Sequence, residues 1–371
     1  MSFDQERVTH TAAGEGWEKD MPGVGWRSRR RGAVIGGAVA LALVGGGALY
    51  ATKGGWLDDR SLASACDGLL ETSELKGLLG TDRLRGEGTA PTHCRVIDLD
   101  DGRSSLRAQI FRGDTSEMLL GTMSRADQHD GGGLVIPAGT GHPVVLGAQP
   151  GTASGFVPCG RGEGGPVTVL MRAMPKNGGE SLDEPEGRAR LARVVSGTLD
   201  RAAERWGCEK PGKAKGKITE IPEDTSGVLR QAGEATGTCA GIDSSSYETS
   251  AGGAAPIEDC QLADPSGARL FRLSAYYGPY VKAARQETLR RKEFRTDVGG
   301  GGGVWWTTAD CPQGDVLYTV ETVWDGERNT FRPPSPKLQK DALKTFAERS
   351  AARHGCSAPE PLPTKDGPSR S

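Results

Sequence analysis

A frame of four cysteines occurs twice in this chain, and the doubling constrains the fold more than any other feature. Cys66, Cys94, Cys159 and Cys208 form the first set, and Cys239, Cys260, Cys311 and Cys356 the second. The intervals are 28, 65 and 49 residues in the first set and 21, 51 and 45 in the second. The text around the cysteines also repeats, so the chain reads as one domain duplicated. An even cysteine count at repeated spacing in an oxidising compartment predicts disulfides. Closure within each copy leaves three pairing schemes. The favoured one joins first to second and third to fourth, because the third-to-fourth interval changes least, 49 against 45. Zinc is the poorer reading: no C-x-x-C occurs, and the intervals are too long for a knuckle.

The compartment follows from residues 32–52, a run of 21 uncharged residues between Arg31 and Lys53. At helical rise this spans roughly 30 Å, the thickness of a hydrocarbon core. Arg27, Arg29, Arg30 and Arg31 crowd its N-terminal side, and no comparable cluster follows it. Cytoplasmic flanks favour Lys and Arg, so the prediction is a single-pass protein of the cell membrane, N-terminus cytoplasmic and C-terminal domains extracellular. A cleaved signal peptide is the rival reading. The 31-residue leader is long for it, and no clear A-x-A site follows the apolar run. Gly32, Gly36 and Ala40 share one helix face, a spacing that permits a homodimer in lipid.

Within each copy the pattern reads helix, two strands, a variable loop, two strands, helix. Residues 61–80 carry leucines at helical spacing, ending at Gly80. Asp101-Gly102 and Asp264-Pro265-Ser266-Gly267 mark hairpin turns. Leu191, Val194, Val195, Leu199, Ala203 and Trp206 form the apolar stripe of the first closing helix. Leu338, Ala342, Leu343, Phe346 and Ala347 form that of the second. The predicted class is α+β: one N-terminal transmembrane helix, then two tandem α-β-β-β-β-α sandwich domains with antiparallel sheets. The boundaries are a disordered cytoplasmic tail at 1–31, the span at 32–52, a stalk at 53–60 and repeat one at 61–209. A linker at 210–225, repeat two at 226–357 and a disordered tail at 358–371 complete the chain.

This layout resembles membrane-anchored cell-envelope proteins of high-GC Gram-positive bacteria that carry duplicated, cysteine-paired α+β domains. The resemblance rests on architecture and cysteine placement, and it brings no diagnostic catalytic motif. A PsbP-like sandwich is the nearest fold analogy.

Signals of chemistry are sparse. The net charge of −2 gives no strong case for nucleic acid or anionic lipid as a partner. His129 and His142 share a loop with Asp127 and Asp130, a cluster that a solvated loop explains as well as a metal does. No H-E-x-x-H, G-x-S-x-G or phosphate-loop motif is present. No catalytic residue, cofactor or metal is assigned, and the protein is read as a non-enzyme. Copy two is rich in aromatics, and Trp305 and Trp306 raise a binding surface against core packing of a sheet. The expected function is binding or scaffolding outside the membrane, with an envelope protein or cell-wall glycan as partner. A sensor or small-ligand-binding module is the alternative.

Overall fold

The computed structural model describes residues 57–113, 119–123, 133–160, 164–176, 180–208, 217–219, 221, 227–286, 294 and 296–363. The expected transmembrane segment, its Gly32, Gly36 and Ala40 face, the cytoplasmic tail and His129 lie outside these residues. Among the described residues no helix is long and apolar enough to cross a membrane.

The described residues form a mixed α+β structure with two large antiparallel sheets and a two-stranded ribbon of Trp324–Asp325 with Thr330–Phe331. The first has seven strands: β1 (Leu84–Glu87), β2 (Cys94–Asp98), β3 (Ser105–Arg112), β4 (Ile136–Pro137), β5 (Val144–Leu146), β6 (Thr152–Val157) and β7 (Val167–Met174). Their spatial order is β1-β2-β3-β7-β6-β5-β4. The second has six: β8 (Ser245–Glu248), β9 (Ile257–Ala263), β10 (Arg269–Tyr277), β11 (Gly299–Gly301), β12 (Val304–Cys311) and β13 (Gly314–Thr322). Their order is β11-β12-β13-β10-β9-β8. Four consecutive inner strands thus follow one order in both sheets, β2-β3-β7-β6 and β9-β10-β13-β12.

A long helix backs each sheet, α1 (Pro185–Arg205) on the first and α2 (Pro336–His354) on the second. The expected stripes are the faces that pack: Leu191, Val194, Val195 and Leu199 are buried on α1, and Ala342, Leu343, Phe346 and Ala347 on α2. Gly355 ends α2 at φ 69°, the left-handed conformation that glycine adopts without a Cβ penalty. The next residue then faces the sheet. Cys208 pairs with Cys159 at the end of β6, and Cys356 with Cys311 at the end of β12, with Cα atoms 4.4 and 4.0 Å apart. Cys66 pairs with Cys94 and Cys239 with Cys260, at 5.3 and 5.2 Å.

Several expectations need correction. The helix over 61–80 is broken: residues 57–64 are helical, a 3-10 turn occupies Ala65–Gly68, and helix resumes only at Leu75–Leu79. The break falls where Cys66 and Asp67 take positive φ, at the residue bonded to Cys94. The linker boundary also moves. Ile218 and Ile221 are buried in the first core, and the Arg193 guanidinium donates to the Ile218 carbonyl at 2.9 Å. Nor does the tail start at 358. The Glu360 amide donates to Thr308, the Thr307 hydroxyl donates to Glu360, and Leu362 packs on the second core.

The glycine run at 299–303 supplies edge strand β11, which pairs Gly299 with Trp306 and Gly300 with Trp305. A Cβ at either glycine would enter the indole ring of its partner, so only glycine leaves room for both rings. Gly300→Ala should therefore cost about 1–3 kcal/mol by overpacking, read as a lower urea midpoint. An unchanged midpoint would mean that the ring moves aside freely.

The two sheets share a core. Leu119, Leu120, Met123, Val135, Phe156 and Leu170 of the first half belong to one apolar cluster with the second sheet. The Phe156 ring meets Tyr280 edge-on at 6.1 Å, and the buried Ser154 and Tyr280 hydroxyls bond each other. Asp259, fully buried on β9, accepts the Val135 amide at 3.1 Å. Its partner Arg272 also donates to the Gly133 carbonyl at 3.2 Å.

Candidate functional site

Three arginines stand in one row across the first sheet. Register places Arg95 of β2 opposite Arg107 of β3, and Arg107 opposite Arg172 of β7. Residues directly opposite on antiparallel strands point to the same face. Here that face is the one away from α1, because Leu106, Ala108 and Ile110, which alternate with Arg107, are buried in the core beneath the helix. The row lines a groove of about 430 Å³ floored by Leu170 and flanked by His93 and Gln109. Arg107 and Arg172 are exposed and Arg95 is half-buried.

The row carries an excess of positive charge, with Glu87 as the single carboxylate set opposite it among the described residues. Like charges directly opposite on a sheet are destabilising. Nearby basic residues have partners: Arg83 pairs with Asp100 at 3.2 Å, Arg85 with Asp58 at 2.7 Å and Lys176 with Asp101 at 3.3 Å. Among the described residues no carboxylate pairs with Arg95, Arg107 or Arg172, and the buried Arg95 Nε has no hydrogen-bond partner. Glu87 stands opposite Arg95 on the edge strand without an ion pair between them. An anion seated across the row would supply the missing negative charge.

A larger cleft, about 590 Å³, opens between the halves and is lined by Gly113, Gly165, Pro279, Lys282, Arg285 and Asp315 among others. Its cations are already engaged. Arg285 donates to the Phe294 carbonyl, and Lys282 has a partner. The free charge therefore lies in the smaller groove.

The densest titratable cluster lies beneath α2. Glu258, buried at 0 % exposure, accepts from Ser350 at 2.5 Å and Arg353 at 2.7 Å, with His354 Nε2 at 3.4 Å. Tyr277 stacks on His354 at 3.9 Å and bonds the Ser350 hydroxyl at 2.6 Å. Burial pushes the Glu258 carboxyl up, but the His354 hydrogen bond and the Arg353 charge outweigh it and hold the group below the ordinary carboxylate range. Burial, then the Glu258 charge, drives the Tyr277 hydroxyl the other way, well above its usual value. Serine and histidine both bind the carboxylate rather than each other. A nucleophile needs its base within reach and an open approach, and this cluster suits a buried structural network.

Of the residues singled out from sequence, Trp305 and Trp306 are corrected. They are exposed by only 1 % and 8 %, so they form no outward binding face. Lys340 of α2 lies 3.9 Å over the Trp305 ring, and Phe294 meets Trp306 edge-on at 5.4 Å. The second sheet is covered on both faces, so strand alternation sends neither indole to solvent. His142 is buried and engaged, and no group of three or more His, Cys, Asp or Glu among the described residues is placed to hold a metal ion. The arginine row escaped sequence reading. The Asp101-Gly102 turn could have placed Arg95 opposite Arg107, but Arg172 joins only through the long-range pairing of β3 with β7. Comparison with protein-family models, curated proteins and solved structures gives no match.

Proposed function

We propose that this chain is a single-pass envelope protein whose exterior is a non-enzymatic module that binds an anionic ligand on the first sheet. The excess positive charge of the row Arg95, Arg107 and Arg172 carries the reading. The apolar run at 32–52 and its arginine-rich flank support the anchor, with the N-terminus inside. The shared order of the inner strands and the matched placement of the cysteine pairs support two tandem α+β sandwich domains derived from one. No Phe, Tyr or Trp lines the groove, so it lacks the large aromatic platform on which a sugar stacks. That favours charge over glycan recognition as the source of affinity. A small-ligand sensor is the second reading, favoured by the groove volume, which falls within the range of small-molecule sites.

Charge reversal tests the proposal. Full-length protein in detergent should bind fluorescent dextran sulfate and ignore neutral dextran. Arg107→Glu, at an exposed position, should weaken binding by tenfold or more and flatten its dependence on salt. Equal binding of the two polymers, or an unchanged Arg107→Glu variant, would remove the arginine row from the function.

A further inference from the structure

We infer that the ligand group held by this row is a phosphomonoester, its terminal phosphoryl dianion lying across Arg95, Arg107 and Arg172. The inference rests on the anion-binding reading above and names the chemistry of the anion. Charge is the first ground. Three arginines less the opposed Glu87 leave the row close to two positive charges. A phosphomonoester carries about −1.5 to −2 near neutral pH, whereas a carboxylate or a sulfate ester carries a single charge. The dianion therefore neutralises the row, and a monoanion leaves repulsion in place.

Geometry is the second ground. Neighbouring strands lie about 4.8 Å apart, so the outer arginines of the row spring from points roughly 10 Å apart. Guanidinium side chains are long enough to converge from that span on one group. Each presents a planar fork that suits two oxygens at once. A phosphoryl group offers three terminal oxygens to three forks, where a carboxylate offers two. The third ground is a waiting donor. Arg95 Nε is buried with no acceptor, while the half-buried Gln109 on the same face adds a neutral donor beside the row. An unpaired buried donor is costly, and a turn of the Arg95 side chain into the groove would bring it onto a phosphoryl oxygen.

Phenyl phosphate, phenyl sulfate and benzoate present three head groups on one ring. Titrated calorimetrically at pH 8 into full-length protein in detergent, phenyl phosphate should bind at least tenfold more tightly than the other two. Arg107→Ala and Arg172→Ala should each lose about tenfold, the value of one charged hydrogen bond. Arg83→Ala, outside the groove, should lose nothing. Glycerol 3-phosphate and dihexanoyl phosphatidic acid then separate the sources. Equal affinity means that the phosphoryl group alone is read, tighter binding of the second means a lipid headgroup, and both outcomes support the shared chemistry. Equal binding of benzoate or phenyl sulfate would overturn the phosphomonoester and leave the anion reading standing. Binding of dextran sulfate with no response to any of the three would do the same. Loss of arginine dependence for every anion would end both.

Discussion

Glu258→Ala should lower stability by about 3 kcal/mol, the most damaging single substitution expected in the second half. The carboxylate is fully buried and holds together Ser350, Arg353 and His354 on the last turns of α2. Deleting one partner of a buried ionic cluster costs about 3–5 kcal/mol, because the remaining charge stays desolvated. The lower end applies here, since Arg353 retains 22 % side-chain exposure and can turn to water. The acid side carries the same signature. The folded carboxyl lies below its ordinary value of 4.5, so its contribution is present above that pH and is lost as pH falls through the folded value. Urea titrations at pH 7 and pH 3 check both points. Wild type should lose stability on acidification, and Glu258→Ala should lose less. Matching midpoints for the two chains at pH 7 would show that the network contributes nothing.

Glu258 also marks the limit of what the sequence discloses. It and Asp259 are consecutive, and alternation along β9 sends them to opposite faces, one into α2 and the other into the first half. Neither was marked from sequence, because two adjacent acids before Cys260 look like a solvated strand entrance. Their burial depends on cover from residues at positions 133–135 and 350–354, far along the chain. Local signals were legible where pattern and structure coincide. The apolar stripes on α1 and α2, the hairpin turn after β2, the glycine behind α2 and the cysteine intervals each follow from a nearby repeat or backbone preference. The short strands β1, β4, β5 and β8 follow from none. They exist because a longer neighbour offers its edge, and two to four residues carry too little pattern to announce that.

The candidate site was illegible for a related reason. Arg95, Arg107 and Arg172 are unremarkable singly, each an outward residue on an alternating strand. Their meaning arises from register, which sums three separate pairings into one row. The tryptophans show the converse error. Alternation correctly assigns Trp305 and Trp306 to opposite faces, but both faces of that sheet are covered.

Removing the Cys311–Cys356 bridge should cost about 4 kcal/mol and destabilise both halves of the fold rather than one. Chain entropy sets the size: closing a loop of 45 residues restrains the unfolded chain by about that amount, and the 49 residues between Cys159 and Cys208 give nearly the same. The shorter loops of 28 and 21 residues give about 3.6 and 3.3 kcal/mol. Spread of the loss follows from the shared core. Phe156, Leu170 and Val135 pack in the same cluster as the second sheet, and the buried Asp259 carboxylate holds a backbone amide of the first half. Melting the second half would strip cover from these groups and leave the Val135 amide without its acceptor. The halves should therefore unfold in one calorimetric transition, which moves down as a unit in a Cys311→Ser, Cys356→Ser double variant. Two separated transitions, with only one displaced, would show that each half stands on its own core. The arginine groove would then keep its shape when the second half melts, and anion binding would survive the loss of that half.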